Sequence, residues 1–300
     1  MRIGVGVGGK TIERARGYVK GAADDGFASA WFNNIFGLDA ILACAVGGNG
    51  IPIEVGTFVT PIQPRHPHAM AQQGLSAYDA CDGRFTLGIG LSHQIVVEDM
   101  FGMSYEKPAR YMREYLSVLM PLLDEGKVAF NGEVFRVNGM VEKPRDGRPS
   151  VLIAALGPAM LKIAGELADG TATWMTGPKT LGDHTVPTLV AATEAAGRPA
   201  PRIAAALPVC VTNDIPAARE RAAKEFAVYG SLPSYRAMLD REGAGGPADI
   251  AVVGDEDEVT RQVRSLVGIG VTDLVAGVFG DEEQVKRTGS LLRSVAAELD

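Results

Sequence analysis

The chain has 300 residues, of which 46% are hydrophobic and 22% charged, and a net charge of −7. That mixture suits a globular protein and excludes a disordered or collagen-like one. At this length a chain buries about 75% of its unfolded surface, so it needs no disulfide or metal staple.

Apolar runs and amphipathic stretches alternate to the end. Arg2–Val7 reads as a strand, Ile12–Ala23 as a helix, and Ala28–Phe32 and Ile53–Val59 as strands. His68–Ala80 reads as a helix, Phe85–Gly90 as a strand and Pro108–Asp124 as a helix that Pro108 can open. FNGEVFRVNG, Phe130–Gly139, reads as a hairpin inside an insertion near 125–150. Strand Val151–Ala155, helix Ala159–Ala168, strand Gly170–Met175 and helix Leu181–Ala196 follow. Next come strand Arg202–Val211 and helix Pro216–Tyr229. A second insertion near 231–247 holds a short helix and a Gly-rich loop. Helix Asp255–Val267, strand Thr272–Ala276 and helix Asp281–Glu298 complete the chain.

The strands are short and mostly do not alternate, as in a parallel sheet covered on both faces. Eight of them alternating with helices predict an α/β fold, a TIM (β/α)8 barrel, with 1–300 as one domain carrying two insertions. A doubly wound open sheet is the competing architecture. GVGVGGKT, Gly4–Thr11, fits both GxGxxG and the Walker A string, but only Met1–Ile3 precede its first glycine. Both fingerprints need a complete strand there, so these glycines are expected inside a strand.

No Lys/Arg block exceeds two residues, which argues against a nucleic-acid surface and a polybasic membrane patch. The longest apolar stretches, such as Ala40–Val46, fall far short of the ~18 residues of a membrane span. The start, MRIGVGVGGK, lacks the pattern of a signal peptide. Cys44, Cys81 and Cys210 are widely spaced, which suits buried thiols in a reducing, cytoplasmic setting. CxxC and HExxH are absent and His66-x-His68 has no third ligand nearby in sequence, so no metal is expected.

In a barrel the chemistry sits at the C-terminal ends of the strands. NNIFGLD (33–39), TPIQPRHP (60–67), LSHQ (91–94), LGPAM (156–160) and TGPKTL (176–181) lie there. His93 is the sharpest candidate. It reads either as a group that moves a proton near neutral pH or as a hydrogen-bonding loop histidine. The two Gly-Pro turns start helices whose backbone N–H groups can hold an anion, with Thr176 and Lys179 beside them. From the residues alone, plain strand–helix connections are the favoured reading. Arg65 could bind an anion, or with His66 could orient the helix entered at Pro67.

GFASAW, VGTFVTPIQPRHP, DGRFTLGIGLSHQ and VLIAALGPAMLKIAGELADGTATWMTGPKTL together resemble the bacterial luciferase-like monooxygenase superfamily. More narrowly, they resemble the flavin- and deazaflavin-dependent oxidoreductases of actinobacteria. The blocks Gly83–Gly90 and Ala155–Gly170 are the most specific, and LPVCVT and GPADIAVVGDEDEV also look like this branch. The resemblance implies a barrel that binds coenzyme F420, or alternatively FMN, at its C-terminal mouth. It implies a ring resting on a bulge at Phe58, Val59 and Thr60, with a non-prolyl cis peptide there. It implies a cofactor phosphate held by Leu156, Gly157 and Pro158 and by Thr176, Gly177 and Lys179, with Asn34 beside the ring. His93 stands where related dehydrogenases place an acidic proton donor. Asn33, Asn34 and Ile35 stand where several relatives carry an Asp-His pair, which disfavours sugar-phosphate dehydrogenation. The implied reaction is hydride transfer between deazaflavin C5 and a small organic substrate. An FMN-dependent monooxygenase and a non-catalytic flavin-binding barrel are the alternatives. A homodimer is also implied, with no nucleic-acid or membrane partner.

Overall fold

The computed structural model describes residues 1–299. The first five strands of the main sheet are β1 (Arg2–Val7), β2 (Ser29–Phe32), β3 (Glu54–Thr57), β4 (Phe85–Gly90) and β5 (Ser150–Ala154). They are followed by β6 (Gly170–Trp174), β7 (Arg202–Val211) and β8 (Asp273–Val278). Each pairs in parallel with the next, and β8 pairs back onto β1, so the eight form a closed ring. The fold is therefore an α/β TIM barrel, and the open-sheet alternative falls. Gly4 and Gly6 lie inside β1, and Thr11 caps the next helix by accepting from Arg14 N (3.3 Å).

The helices are α1 (Ile12–Asp24), α2 (Ala40–Gly48), α3 (Pro67–Ala80), α4 (Pro108–Glu125) and α5 (Pro158–Leu167). A helical run over 178–195 is α6, made of Pro178–Thr180, a π-turn at Leu181–Thr185, and Val186–Ala195. Then come α7 (Ile215–Glu225), α8 (Ala227–Ser231), α9 (Pro233–Glu242), α10 (Glu256–Ile269) and α11 (Glu282–Leu299). None of the described helices is long and apolar enough to cross a membrane.

Two expectations need correction, and one helix goes unannounced in the sequence pattern. The stretch Ala40–Val46 lies in that helix, α2, capped by Asp39, which accepts from Leu42 N (3.0 Å). Its unbroken apolarity hid the helical period, because Ile41 and Cys44 are buried while Leu42 and Val46 are exposed. The strand expected over Ile53–Val59 stops at Thr57, and the chain rejoins β4 at Thr60–Pro61. The helix expected over Pro216–Tyr229 breaks at Phe226, whose ring turns inward against Trp174 and Phe279. A short strand that the sequence pattern did not announce, Val252–Gly254, pairs with the outer half of β7.

The hairpin of the first insertion is Lys127–Asn131 against Arg136–Met140. It is fastened to the barrel by a buried carboxylate. Glu114 on α4 accepts from the backbone N–H groups of Glu133 (3.1 Å), Val134 (2.8 Å) and Phe135 (3.0 Å). Burial alone would raise its pKa, but these three donors outweigh burial and hold it below the ordinary value.

The lower interior of the barrel is polar. Arg202 reaches Asp273 through two hydrogen bonds (2.9 and 2.7 Å) and also bonds Glu54 (2.7 Å) and Thr86 (2.9 Å). Its guanidinium lies 5.4 Å from the centre of the Trp31 ring. Burial pushes the Asp273 carboxyl up, but the hydrogen bonds and charge of Arg202 win and its pKa is lowered. Breaking one partner of such a buried set leaves charge unpaired and costs about 3–5 kcal/mol. Arg202→Met is therefore expected to destabilise by that amount in urea unfolding. A carboxyl with a depressed folded pKa contributes fully above its unfolded value, about pH 4, and loses that contribution as pH falls through the folded value. Thermal unfolding from pH 2 to 6 is expected to show this acid loss in the native chain and a flatter curve in Asp273→Asn.

Candidate active site

At the C-terminal mouth the closed ring brings together segments that are far apart in sequence. The Phe58–Val59 peptide bond is cis, at the position expected for the bulge. The bulge fits because β4 lacks side chains there. A Cβ on Gly88 would stand 2.0 Å from Thr57 O, and one on Gly90 would stand 2.8 Å from Val59 Cγ2. The FTLGIG block is thus a strand stripped to let its neighbour approach. Phe58, Val59 and Trp174 are partly buried and cover an inner cluster of Trp31, Leu152, Ala172, Ala204, Ala206 and Val275. Gly8, just past β1, has nothing within 4 Å of where a side chain would stand. The mouth therefore has an apolar floor with open space above it.

The Thr60 hydroxyl at this end is buried and makes no hydrogen bond among the described residues. Such groups call for a partner from outside the chain. Ser92 (φ 59°) and Met175 (φ 53°) take the left-handed conformation just past β4 and β6. Non-glycine residues in this region cost of order 1–3 kcal/mol and cluster at functional sites. The same two loops lead into the two π-turns, Val96–Met100 and Leu181–Thr185, another feature frequent at functional sites.

His93 faces the second insertion. Its ring centre lies 5.4 Å from that of Tyr235, which packs on Tyr229 (5.3 Å), which packs on Trp174 (5.8 Å). Burial lowers the pKa of His93, so the imidazole is neutral at neutral pH. Burial raises the pKa of Tyr229 and Tyr235, which stay protonated. The sequence reading did not single out these tyrosines. Their insertion carries no site signature, and only packing puts them over the mouth.

The two Gly-Pro turns are joined: His184 Nε2 on α6 donates to Leu156 O (2.9 Å). Gly157 caps α5 with Pro158 in its first turn, and no side chain caps that helix start. The start of α6 differs. Lys179 N and Thr180 N donate to the Glu242 carboxylate at 3.1 and 2.7 Å. A Cβ on Gly177 would stand 2.3 Å from Glu242 Cδ, so the glycine makes the cradle that a carboxylate now fills. An anion therefore fits both the donors and the space. Thr176 is fully buried, and the Lys179 side chain is exposed.

Other candidates have structural duties. Asn34 Oδ1 accepts from Ala40 N (3.0 Å) at the start of α2, which commits its oxygen and leaves only its amide nitrogen for a ring. Arg65 pairs with Asp39, and His66 caps α3 by accepting from His68 N (3.2 Å) with Pro67 in its first turn. That is the helix-orienting alternative rather than an anion site. All three cysteines are buried, and burial raises the Cys81 thiol to about 11. A hollow of about 680 Å³ between α4 and the hairpin, lined by Pro121, Val128 and Met140, lies away from the strand ends and gathers none of these groups.

Comparison with known proteins agrees with this geometry. The chain is 29% identical over 300 residues to the 5,10-methylenetetrahydromethanopterin reductase of Archaeoglobus fulgidus, covering 87% of this chain and 88% of that one. Its fold matches the coenzyme F420-dependent tetrahydromethanopterin reductase of Methanopyrus kandleri. There the TM-score is 0.79 and the identity 20%, with 96% and 97% of the two chains covered. It also matches the FMN-bound oxygenating constituent of 3,6-diketocamphane monooxygenase from Pseudomonas putida. In that case the TM-score is 0.77 and the identity 15%, with 99% and 97% covered. Residues 1–273 match the luciferase-like monooxygenase family, and the chain belongs to that family.

Proposed function

We propose that the chain is a coenzyme F420-dependent oxidoreductase that transfers a hydride to or from a small organic substrate at the barrel mouth. The observation that carries this reading is the convergence at one end of the Phe58–Val59 bulge, His93 and the two Gly-Pro helix starts. The reductase relative, aligned over 87% of the chain, supports it. When bound, a deazaflavin would give or take up the hydride at its C5. The residues of the chain do the rest. Phe58 and Val59 would carry the ring, and the Thr60 hydroxyl and the Asn34 amide nitrogen would offer it hydrogen bonds. The turns at Leu156, Gly157 and Pro158 and at Thr176, Gly177 and Lys179 would hold the phosphate through backbone N–H groups, other than at Pro158, which has none, and through the exposed Lys179 ammonium. Tyr229 and Tyr235 line the side facing His93.

His93 moves the proton that accompanies the hydride. A neutral imidazole accepts a proton in the oxidative direction, whereas its protonated form donates in the reductive one. His93→Ala is expected to lower kcat by about 10²–10⁴-fold, the usual range for general acid–base catalysis. Cofactor affinity is expected to stay nearly unchanged, because the phosphate grip lies on other loops. With burial holding the His93 pKa below 6.5, the native reductive kcat is expected to rise as pH falls through that value, and the Ala variant to lose this limb. An unchanged kcat and pH profile would leave His93 as a loop histidine.

FMN is the second reading, favoured by the FMN-bound fold relative. Fluorescence-quenching titration separates the two. Micromolar or tighter binding of F420, about −8 kcal/mol, is expected. Tight FMN binding without F420 binding would replace the first reading with a flavin monooxygenase.

The exposed apolar side chains of α2, Leu42 and Val46, form the proposed contact of a homodimer. Light scattering at micromolar concentration is expected to give twice the chain mass, and a monomer would refute it.

A further inference from the structure

We infer that Glu242 is a built-in occupant of the anion cradle at the start of α6, and that an anionic ligand enters only by displacing it and loosening α9. The inference rests on the reading that the cofactor phosphate uses the turn at Gly177–Thr180. Glu242 comes from 62 residues further along the chain, yet each of its carboxylate oxygens takes one backbone N–H of the first turn of α6. Those are the donors an incoming phosphate needs, and the space left by Gly177 is filled by the same carboxylate. The two anions cannot share the cradle. They would compete for two donors and repel each other at contact distance.

The rest of α9 shows what displacement would move. Near its C-terminal end, Thr180 Oγ1 donates to Met238 O (3.2 Å), a second tie between α6 and α9. Beyond Glu242 the chain turns at Gly243 (φ 80°) into the Gly-rich segment Gly243–Gly246. At its other end, Tyr235 lies on His93. The helix is therefore a strap from the loop after β4 to the loop after β6, and Glu242 is its latch. By contrast, among the described residues no side chain caps the start of α5, and nothing stands within 4 Å of where a Gly157 Cβ would be. Filling the α6 cradle with a ligand anion would thus be coupled to freeing the Tyr235 end of α9 beside His93. A ligand that must first open a latch shows an affinity reduced by the fraction of molecules already open.

The test uses the full chain, titrated with inorganic phosphate by calorimetry, with hydrogen exchange followed across 231–246. Glu242→Ala is expected to bind phosphate about tenfold more tightly than the native chain, within the usual range of such couplings. Saturating phosphate is expected to speed exchange across Pro233–Gly246 in the native chain, to the level that Glu242→Ala shows without phosphate. Equal phosphate affinities, or unchanged exchange at saturation, would make Glu242 a plain helix cap and overturn the latch. If the Ala variant fails to fold, Glu242→Gln keeps an acceptor and removes the charge. It is expected to shift in the same direction, and no shift would again overturn the latch. F420 titrations of native chain and variant separate the two readings. Failure of both to bind F420 or FMN sinks the cofactor reading, whereas equal tight binding with a static α9 sinks only the latch.

Discussion

A closed eight-stranded barrel must fill its own interior, and here that filling is uneven. The lower layers hold Trp31, its Nε1 bonded to Ser29 Oγ (2.8 Å), beneath which Arg202 ties β7 to β3, β4 and β8. Trp31 fits only because β3 gives way: a Cβ on Gly56 would stand 2.4 Å from the indole. A large ring in the middle and a buried ion network below close the barrel from that side. The upper layer, thinned by glycines, is left for a ligand. Stability and function are thus assigned to opposite ends of one cylinder, as the geometry of such barrels favours.

The mouth gathers features that cost free energy. Ser92 and Met175 adopt left-handed backbone, two π-turns follow them, and the buried Thr60 hydroxyl makes no hydrogen bond among the described residues. Each is a local departure from the regularity seen in the rest of the barrel. Their place at the C-terminal strand ends fits a division of labour: the rigid ring supplies the stability against which the loops can be strained. The insertion after β7 then adds the tyrosines and Glu242, which turn an open mouth into a partly roofed one.

Glu114 and Glu242 show one physical device used twice. Each is a carboxylate that accepts backbone N–H groups from a distant segment, Glu114 at the hairpin turn and Glu242 at a helix start. Glu114 fastens an insertion, and its donors have no other evident use. Glu242 sits in the cradle proposed here for a cofactor phosphate. The same hydrogen-bond chemistry can therefore serve as anchor or as latch, according to whether a competing ligand has access.

The sequence by itself determined the barrel. Strand and helix periods, proline-opened helices and the count of eight units are local signals, and they survive without knowledge of tertiary contacts. It also determined the candidate list at the strand ends, because strand order fixes which loops share the mouth. Resemblance to a family, rather than pattern, supplied the bulge at Phe58–Val59. Helix α2 escaped because a run apolar on every side has no period to read, and the break at Phe226 because it follows from aromatic packing with Trp174 and Phe279. The choice between an anion-binding and a helix-orienting Arg65 waited on its partner Asp39, and Asn34 keeps only its amide nitrogen free of the bond that Ala40 N makes to its oxygen. Tyr235 and Glu242 acquire a place in the site only through docking of α9 across the mouth. That contact joins residues about 62 positions or more apart, and no local periodicity encodes it.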